Sequence, residues 1–223
     1  MSEHSYNQYC PIAHALDLVG DRWALLIVRD LILGPKRFTD LKGGLPGLGT
    51  NILATRLKSL ERSGVVARRA LPFPAAATVY ELTAYGRELG ATLGALARWG
   101  GATMGPPQPG QGVSLDSVLL TVTALFRART QASADAAYAV YFDEPSLRVT
   151  VGVRVEDGAV RMDRVAPERP DVSLWTDIAT VVNVVGGRLS LREAIDRGAV
   201  RIEGDPAAVE GLIASDATTS VVA

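Results

Sequence analysis

The chain has 223 residues, 48% hydrophobic and 21% charged, with a formal net charge of −1, which is typical of a folded globular protein and not of a disordered one. The length fits one large domain or two modest ones, no apolar run approaches the roughly 20 residues that span a bilayer, and the N-terminus lacks the features of an export signal. A single cysteine excludes an internal disulfide, so we expect a cytoplasmic protein without a membrane partner.

The charge is unevenly distributed along the chain. The uncharged run GPPQPGQG at 105–112 is rich in proline and glycine, which predicts a linker between a domain at 1–104 and a domain at 113–223. Residues 1–104 carry 12 Lys and Arg against 8 Asp and Glu, and eight of those basic residues lie within 36–69. Such a basic region is typical of a surface that binds nucleic-acid phosphates, although a solvated helix face has the same pattern.

The first half opens with three predicted helices, over 11–19, 22–33 and 37–43. Pro11 suits a first helical turn, where its missing N–H is not needed. Asp21 can cap the second helix, in which Trp23 and Leu26 are predicted to face a core. The run Gly34-Pro35 then stops that helix.

A fourth helix is predicted from Thr50, as its cap, to position 63, with an apolar row of leucines at 53, 57 and 60. Two β-rich segments, 65–71 and 78–83, predict a hairpin, and Thr83 can cap a long helix after it. The order of helix, helix, turn, helix and two-stranded wing is the plan of a winged helix-turn-helix domain, whose second HTH helix lies in the major groove of DNA.

On this plan the fourth helix turns its polar face to DNA. Asn51 at its N-terminal end can bond an adenine through two hydrogen bonds, and basic side chains suit phosphates. The predicted DNA-binding residues are Lys36, Arg37, Thr50, Asn51, Thr55, Arg56, Lys58, Arg68 and Arg69. An alternative stays open for Arg56 and Arg62, since either can pair with an acidic neighbour such as Glu61 or Asp40.

Three phrases, CPIAHALDLVGDRWALLIVRDLILGPKRFTDL, LATRLKSLERSGVVARR and TVYELTAYG, together with the trailing Trp99, resemble the HxlR family of bacterial winged-helix regulators. The resemblance covers about 9–104. It implies a homodimer whose two-fold interface is formed by the N-terminal segment and the helix around Leu89–Trp99, and operator half-sites about one helical turn apart. The turn GGLPGLG departs from the family pattern because it is glycine-rich and less polar than usual.

Cys10 falls where many members of that family carry a cysteine, which in some of them senses electrophiles or oxidants. The N-terminus of a helix favours a thiolate, because its dipole and free amides stabilise negative charge. The alternative is a small buried or interface residue, since free cysteine is among the most often buried residue types.

The second half predicts a mixed domain: a helix over 115–129, strands over 137–142, 147–155, 159–165 and 172–176, helices over 178–187 and 191–198, a strand over 199–205 and a helix over 207–213. This order and the run from RPDVSLWTDIATVV to GDPAAVEGLI resemble the sterol carrier protein type 2 family over about 136–214. The resemblance implies a mainly antiparallel sheet covered by helices, with an apolar cavity for a lipid-like molecule. The expected fold class of the whole chain is α+β.

Apolar and aromatic residues of this half are candidates to line such a cavity. They are Phe126, Tyr138, Tyr141, Val151, Trp175, Val181, Val185 and Ile202. Each would look the same in a solid core, although Tyr141 and Trp175 also bring a polar tip to an apolar surface.

We expect no enzyme, no cofactor and no metal site, because the second half has no histidine and no nucleophile lies beside a base. The favoured hypothesis is a dimeric regulator that binds double-stranded operator DNA through its first domain and an apolar or lipid-like effector through its second. A second hypothesis makes Cys10 a thiol sensor and the C-terminal domain structural. A third is a lipid carrier whose winged helix makes only protein contacts.

Overall fold

The computed structural model describes residues 5–73, 76–105, 108, 110–111, 115–127, 135–144, 147–157, 159–163 and 165–214. The chain divides into two compact units, Met1–Leu93 and Gly94–Ala223. The proposed linker at 105–112 falls in the second unit and lies partly outside the described residues.

The first unit combines helices with a small antiparallel sheet. Its helices are α1 (Pro11–Val19), α2 (Ala24–Ile32), α3 (Phe38–Gly44), α4 (Thr50–Arg62) and the start of α5 (Ala84–Gly101). Its strands are β1 (Lys36–Arg37), β2 (Val66–Ala70) and β3 (Thr78–Leu82), in the order β1-β3-β2. The predicted wing is therefore present and gains a third strand, because Lys36 pairs with Tyr80 and Arg37 with Val79.

The core of this unit forms where α2, α3 and α4 meet the sheet. The leucine row of α4 is fully buried, as its spacing predicted, and it joins buried residues of the other elements. These include Ile27, Val28, Leu31, Leu41, Leu45, Leu48, Val65, Val66 and Leu82. Burial of this one face leaves the opposite face of α4 in solvent.

The start of α2 differs from the prediction. The helix begins at Ala24, after Trp23 in the left-handed region at φ 81°. The guanidinium of Arg22 lies 5.4 Å from the centroid of the Trp23 ring, a cation–π contact that helps to hold this conformation. Asp21 does not cap the helix, because its carboxylate pairs with Arg56 instead, and Leu26 is 39% exposed where a core position was predicted.

The two ends of α4 are fixed by backbone geometry. Its N-cap is Gly49, so Thr50 is the first helical residue and not the predicted cap. At the other end Gly64 adopts φ 72°, its N–H bonds to Glu61 O at 3.1 Å, and Val65 N–H bonds to Leu60 O at 3.0 Å. This is a Schellman motif, which ends the helix and leads the chain directly into β2.

The first turn of α5 is tied to the end of α4. Thr83 caps α5 as predicted, since its Oγ1 accepts the Gly86 N–H at 3.0 Å and donates to Gly64 O at 2.6 Å. Gly86 lies so close to Val65 that a Cβ at this position would overlap the Val65 carbonyl oxygen. A glycine is therefore required where the helix crosses the β2 entry.

The second unit is a five-stranded sheet with helices. Its helices are α6 (Leu115–Arg127), α7 (Ile178–Val185), α8 (Leu191–Asp196) and α9 (Pro206–Ala214). Its strands are β4 (Ala136–Glu144), β5 (Leu147–Glu156), β6 (Ala159–Asp163), β7 (Val172–Thr176) and β8 (Arg201–Gly204), in the order β6-β5-β4-β7-β8. All pairs are antiparallel except β4 with β7, so the fold is α+β with a mainly antiparallel sheet, as predicted.

The two faces of this sheet differ in character. Side chains alternate along each strand, so Tyr138, Val153 and Leu174 share one face, on which the ring of Phe126 from α6 meets Tyr138 edge-on at 4.9 Å. We call this the helix-covered face. The other is the open face, and on it Val165 crosses β5 at Gly152, where a Cβ would overlap the Val165 carbonyl oxygen.

Candidate DNA-binding surface and ligand-binding domain

The solvent side of α4 carries a row of exposed polar residues, which we call the polar row: Asn51, Thr55, Lys58 and Arg62. At 3.6 residues per turn they lie within about 60° of one another around the helix axis. The Thr55 hydroxyl donates to Asn51 O at 2.9 Å, so its oxygen can still accept a hydrogen bond. The row therefore joins hydrogen-bonding groups near the N-terminus to cations near the C-terminus.

Thr50 and Ile52 extend this surface at the first turn of α4. Both are exposed, and Ile52 is a large apolar side chain that is not among the predicted DNA-binding residues. Its exposure could not be read from periodicity, because an isoleucine at the edge of the leucine row also fits a core. An apolar group at this position can contact a thymine methyl.

Arg56 stands apart from the polar row. It lies about 140° around the helix from Asn51 and is half-buried. Its guanidinium pairs with the carboxylate of Asp21, in the turn between α1 and α2. The pair links the recognition helix to the preceding helices, so the acidic partner is neither of the two neighbours considered from the sequence.

Lys36 and Arg37 lie at the junction of β1 and α3. Arg37 is exposed at the N-cap of α3, where its backbone N–H donates to Asp40 Oδ2 at 2.9 Å, and Lys36 is half-buried. The Asp40 carboxylate is therefore occupied in capping α3, and Arg37 keeps its side chain in solvent.

The wing carries two arginines with different surroundings. Arg68 is exposed on β2. Arg69 pairs with Glu81 on β3 through Nε and Oε1 at 2.9 Å, and this hydrogen bond, helped by the charge of Glu81, raises the pKa of Arg69. Arg68 is thus the arginine of the wing that presents an uncompensated charge in the described part of the chain.

Cys10 is the N-cap residue of α1 and is half-buried. Its carbonyl oxygen accepts the His14 N–H at 2.9 Å, while its side chain accepts no hydrogen bond from the described backbone of the helix. Cys10 therefore stands at the N-terminal end of α1, and its thiol makes no capping hydrogen bond to the described backbone there.

Exposed apolar residues lie on α1 and α5. Tyr9 is fully exposed just before α1, and Ile12 and Leu16 are exposed on it, three and seven residues later. On α5, Leu96 and Trp99 are exposed, Trp99 at 78%. These exposed large apolar side chains are of the kind that a protein–protein contact would bury.

The structure separates the eight candidate ligand-binding residues into two groups. Phe126, Tyr138, Val151, Val181 and Val185 are buried and Ile202 is half-buried. The strand members of this set lie on the helix-covered face, and α6 contacts α7.

Tyr141 and Trp175 lie on the open face. Each directly follows a residue whose side chain lies on the helix-covered face, and successive side chains of a strand point to opposite faces. Their rings stack with centroids 5.1 Å apart, and the Arg201 guanidinium lies 3.9 Å from the Trp175 centroid. They form a ladder across β4, β7 and β8 and cannot line a cavity on the other face.

A cavity of about 630 Å³ opens on the open face of the sheet. Its lining comes from the sheet and from the segment after β6: Ala137, Arg154, Asp163, Val165, Ala166, Pro167, Glu168 and Arg169. Cations, carboxylates and small apolar groups are mixed in this lining, so it differs from the apolar cavity that the resemblance implied.

Among the described residues, no cluster of histidine, cysteine and carboxylate side chains could hold a metal ion. None of the described helices is long and apolar enough to cross a membrane.

Comparison with known proteins assigns each half of the chain. The HxlR-like helix-turn-helix family matches residues 18–108, and the SCP-2 sterol transfer family matches residues 126–214.

Individual relatives match the first half. An HTH-type transcriptional regulator of Synechocystis is 38% identical over 91 residues, which is 41% of this chain and 67% of that protein. YvaP and YodB, HTH-type transcriptional regulators of Bacillus subtilis, are each 37% identical over 94 residues, 42% of this chain and 87% and 84% of theirs. The solved reduced form of YodB is 34% identical and covers 45% of this chain and all of its own, with a TM-score of 0.39.

The aligned stretches of YvaP and YodB cover most of the length of those proteins, and the HxlR-like match at 18–108 falls on the winged helix described above. The chain belongs to the HxlR-like helix-turn-helix family of transcriptional regulators, and its residues 126–214 match the SCP-2 sterol transfer family.

Proposed function

We propose that the protein is a dimeric, cytoplasmic regulator that binds operator DNA through α4 and the wing, and an apolar effector through its C-terminal domain. The observation that carries the first part is the polar row on α4. Its residues are exposed together while the leucine row behind them is completely buried. A helix held in this way offers one rigid polar face to a groove.

The residues of that surface divide by the kind of contact that they suit. Thr50 and Asn51 lie at the N-terminal end of α4, where recognition helices meet base edges. Lys58 and Arg68 suit phosphates, which orient the protein without reading sequence. Arg56 suits a supporting role, since its pair with Asp21 fixes α4 against the preceding turn.

Dimerisation is the role that best accounts for the exposed apolar residues of α1 and α5. Tyr85, Leu96 and Trp99 lie within about 60° of one another around α5 and are all exposed. A stable interface needs an apolar centre with aromatic anchors, which this face and that of α1 supply. Two copies would then present two recognition helices to one operator.

The effector site is proposed between α6, α7 and the helix-covered face of the sheet. Phe126, Tyr138 and Val151 are fully buried there, and the match to the SCP-2 sterol transfer family supports an apolar ligand. Regulation requires that the ligand binds the DNA-competent and incompetent states with different affinities. Native mass spectrometry tests this part: extra mass removed by organic extraction supports it, and the bare polypeptide mass in freshly purified protein contradicts it.

DNA binding is tested by titrating duplexes selected from a random library, between 50 and 200 mM salt. The affinity should fall steeply as salt rises, because each phosphate contact releases about 0.9 counterion. Lys58→Ala should weaken binding to every duplex and reduce the salt slope by about 1. Arg161→Ala, an exposed arginine of the second unit, is the control and should change neither. Absence of salt-dependent binding would favour a lipid carrier whose winged helix contacts only proteins.

A second candidate, thiol sensing, is favoured by the position of Cys10 at the N-cap of α1. Redox-sensor cysteines are accessible thiols that oxidants convert to a sulfenic acid or a disulfide, and Cys10 is half-buried and not enclosed in the core. Hydrogen peroxide should then release wild-type protein from DNA but not Cys10→Ser. Equal release of both proteins would contradict this role and leave the C-terminal domain as the sensor.

A further inference from the structure

The end of α5 touches α7 through two glycines, both of which belong to the second unit. Gly101 is the last residue of α5 and is buried, and Gly186 is the C-cap of α7. A Cβ on Gly186 would come within 2.6 Å of Gly101 C, and a Cβ on Gly101 within 3.3 Å of Gly186 Cα. The two backbones are therefore in direct contact, at a distance that leaves no room for a side chain between them.

Arg188 fastens the same two segments to each other. One guanidinium nitrogen donates to Met104 O, in the turn after α5, and the other donates to Asn183 Oδ1 on α7. The backbone of Arg188 is held as well, since its N–H donates to Asn183 O at 2.9 Å. We call these contacts of Arg188, together with the contact of Gly101 and Gly186, the α5–α7 junction.

α7 turns another side to the proposed effector site. Val181 and Val185 are buried in the core of the second unit, and α7 contacts α6 there. Gly186 lies about 140° around the helix axis from Val181. One side of α7 therefore forms a wall of the proposed site, while a different side carries the junction.

An apolar ligand has to move a wall of this core to enter it. Phe126 and Tyr138 are fully buried beside each other, and close-packed interiors transmit displacement because they compress little. The sheet is the stiffer wall, since β4 is hydrogen-bonded to β5 on one side and to β7 on the other. The helical wall therefore yields first, and a shift of α7 away from the sheet acts on the junction.

The junction passes such a shift to the end of α5. A change of rotamer cannot absorb it, because the contact of Gly101 with Gly186 is between backbones. Trp99 lies two residues before Gly101 in the same helix, and it is 78% exposed on the face of α5 proposed to form the dimer. The displacement thus reaches the dimer face within one helical turn.

We propose that the α5–α7 junction couples the effector site to the dimer face, so that an apolar ligand that displaces α7 weakens the dimer and releases the operator. The proposal rests on the effector binding and the dimerisation proposed above. The coupling is reciprocal, so the dimer, by holding the end of α5, favours the undisplaced position of α7. A coupling of the usual size changes either equilibrium by about 5- to 150-fold.

Amide hydrogen exchange of α7 tests the coupling without a ligand. Trp99→Glu, which places a charge on the dimer face, should be monomeric and should exchange the α7 amides about 5- to 150-fold faster than the wild-type dimer. Adding Arg188→Ala to both proteins removes the two guanidinium hydrogen bonds and should remove most of that difference. Adding Arg192→Ala, which changes an exposed arginine of α8, is the control and should preserve it.

Three outcomes of the exchange experiment would overturn the coupling. One is equal exchange of α7 in the wild type and Trp99→Glu, and another is a Trp99→Glu protein that remains dimeric. The third is faster exchange in Trp99→Glu that does not also appear when the wild type is diluted until it dissociates, because the effect would then be local to the substitution.

Oleate, a long-chain fatty acid, probes the ligand side. Oleate bound to the wild type should raise the dimer dissociation constant by about 5- to 150-fold, measured by analytical ultracentrifugation, and should leave that of Arg188→Ala nearly unchanged. Bound oleate without a change in the wild-type constant overturns the coupling alone. Failure to bind oleate, with the bare polypeptide mass in native mass spectrometry, overturns the effector function and leaves hydrogen exchange to decide whether α7 and the dimer face are coupled.

Discussion

Asn51 lies exposed at the first turn of α4, where it is the N-terminal member of the polar row. An asparagine at such a position reads adenine through two hydrogen bonds, and loss of one such contact costs about 1–3 kcal/mol of discrimination. Asn51→Ala should therefore relax preference at one base pair and keep the wild-type salt slope. Affinities for all single-base variants of the selected operator check this, and equal discrimination by both proteins at every position would place the reading face elsewhere.

Glu193 shows how a single carboxylate makes stability depend on pH. The Ser190 N–H donates to Glu193 Oε2 at 2.9 Å, and the Glu193 N–H donates to Ser190 Oγ at 3.0 Å, a capping box at the start of α8. The backbone hydrogen bond, followed by that of the Ser190 hydroxyl, lowers the pKa of Glu193 below its ordinary value of 4.5. The unfolded chain binds the proton more tightly, so the ionised cap stabilises the fold above the unfolded pKa.

Glu193→Gln should accordingly be less stable than the wild type at pH 7. The difference should shrink as the pH falls from about 4.5 through the lower pKa of the folded state, because the wild-type carboxylate is then protonated as well. Urea unfolding at several pH values measures it, with Glu203→Gln as a control outside any helix cap. A difference that stays constant down to pH 3 would contradict the assignment.

At the scale of elements, the spacing of apolar residues along the sequence predicted the helices. Contacts between segments distant in the sequence determined the strand β1 and the face of the second sheet that the helices cover. The leucine spacing was sufficient to place α4 and its buried face. It could not reveal β1, because two residues become a strand only by pairing with β3. Nor could alternation say which face of the second sheet the helices cover, and so Tyr141 and Trp175 were grouped with residues of the opposite face.

The packing of α5 on the β2 entry yields a test of an element contact. Gly86→Ala should destabilise the protein by roughly 1–3 kcal/mol, because its Cβ would overlap the Val65 carbonyl oxygen. Gly90→Ala, in the same helix, would place its Cβ an ordinary 3.9 Å from Ile32 Cδ1. It should stabilise by up to about 1 kcal/mol through helix propensity. Urea unfolding midpoints measured by circular dichroism compare the stability of the two variants. Equal changes in stability would show that the close approach to Val65 does not determine the effect of the substitution at Gly86.

For the whole molecule, the proposed function depends on two copies acting together. Trp99 is 78% exposed on the apolar face of α5, and Trp99→Glu should convert the dimer to a single chain of 23.6 kDa, since it places a charge in an apolar interface. Val165→Glu changes an exposed apolar residue on the open face of the second sheet and should remain dimeric. Light scattering after size exclusion gives both masses, and a dimeric Trp99→Glu protein would move the interface away from α5.

Hydroxyl-radical footprinting of the wild-type protein on its selected operator tests the central claim most directly. A dimer that places one α4 in each of two successive major grooves should protect two stretches on the same side of the duplex, centred about 10 base pairs apart. If the wing contacts the duplex as proposed, protection should also extend into the adjacent minor groove on the outer side of each stretch. A single protected stretch, or none at salt concentrations that preserve the folded dimer, would contradict the account.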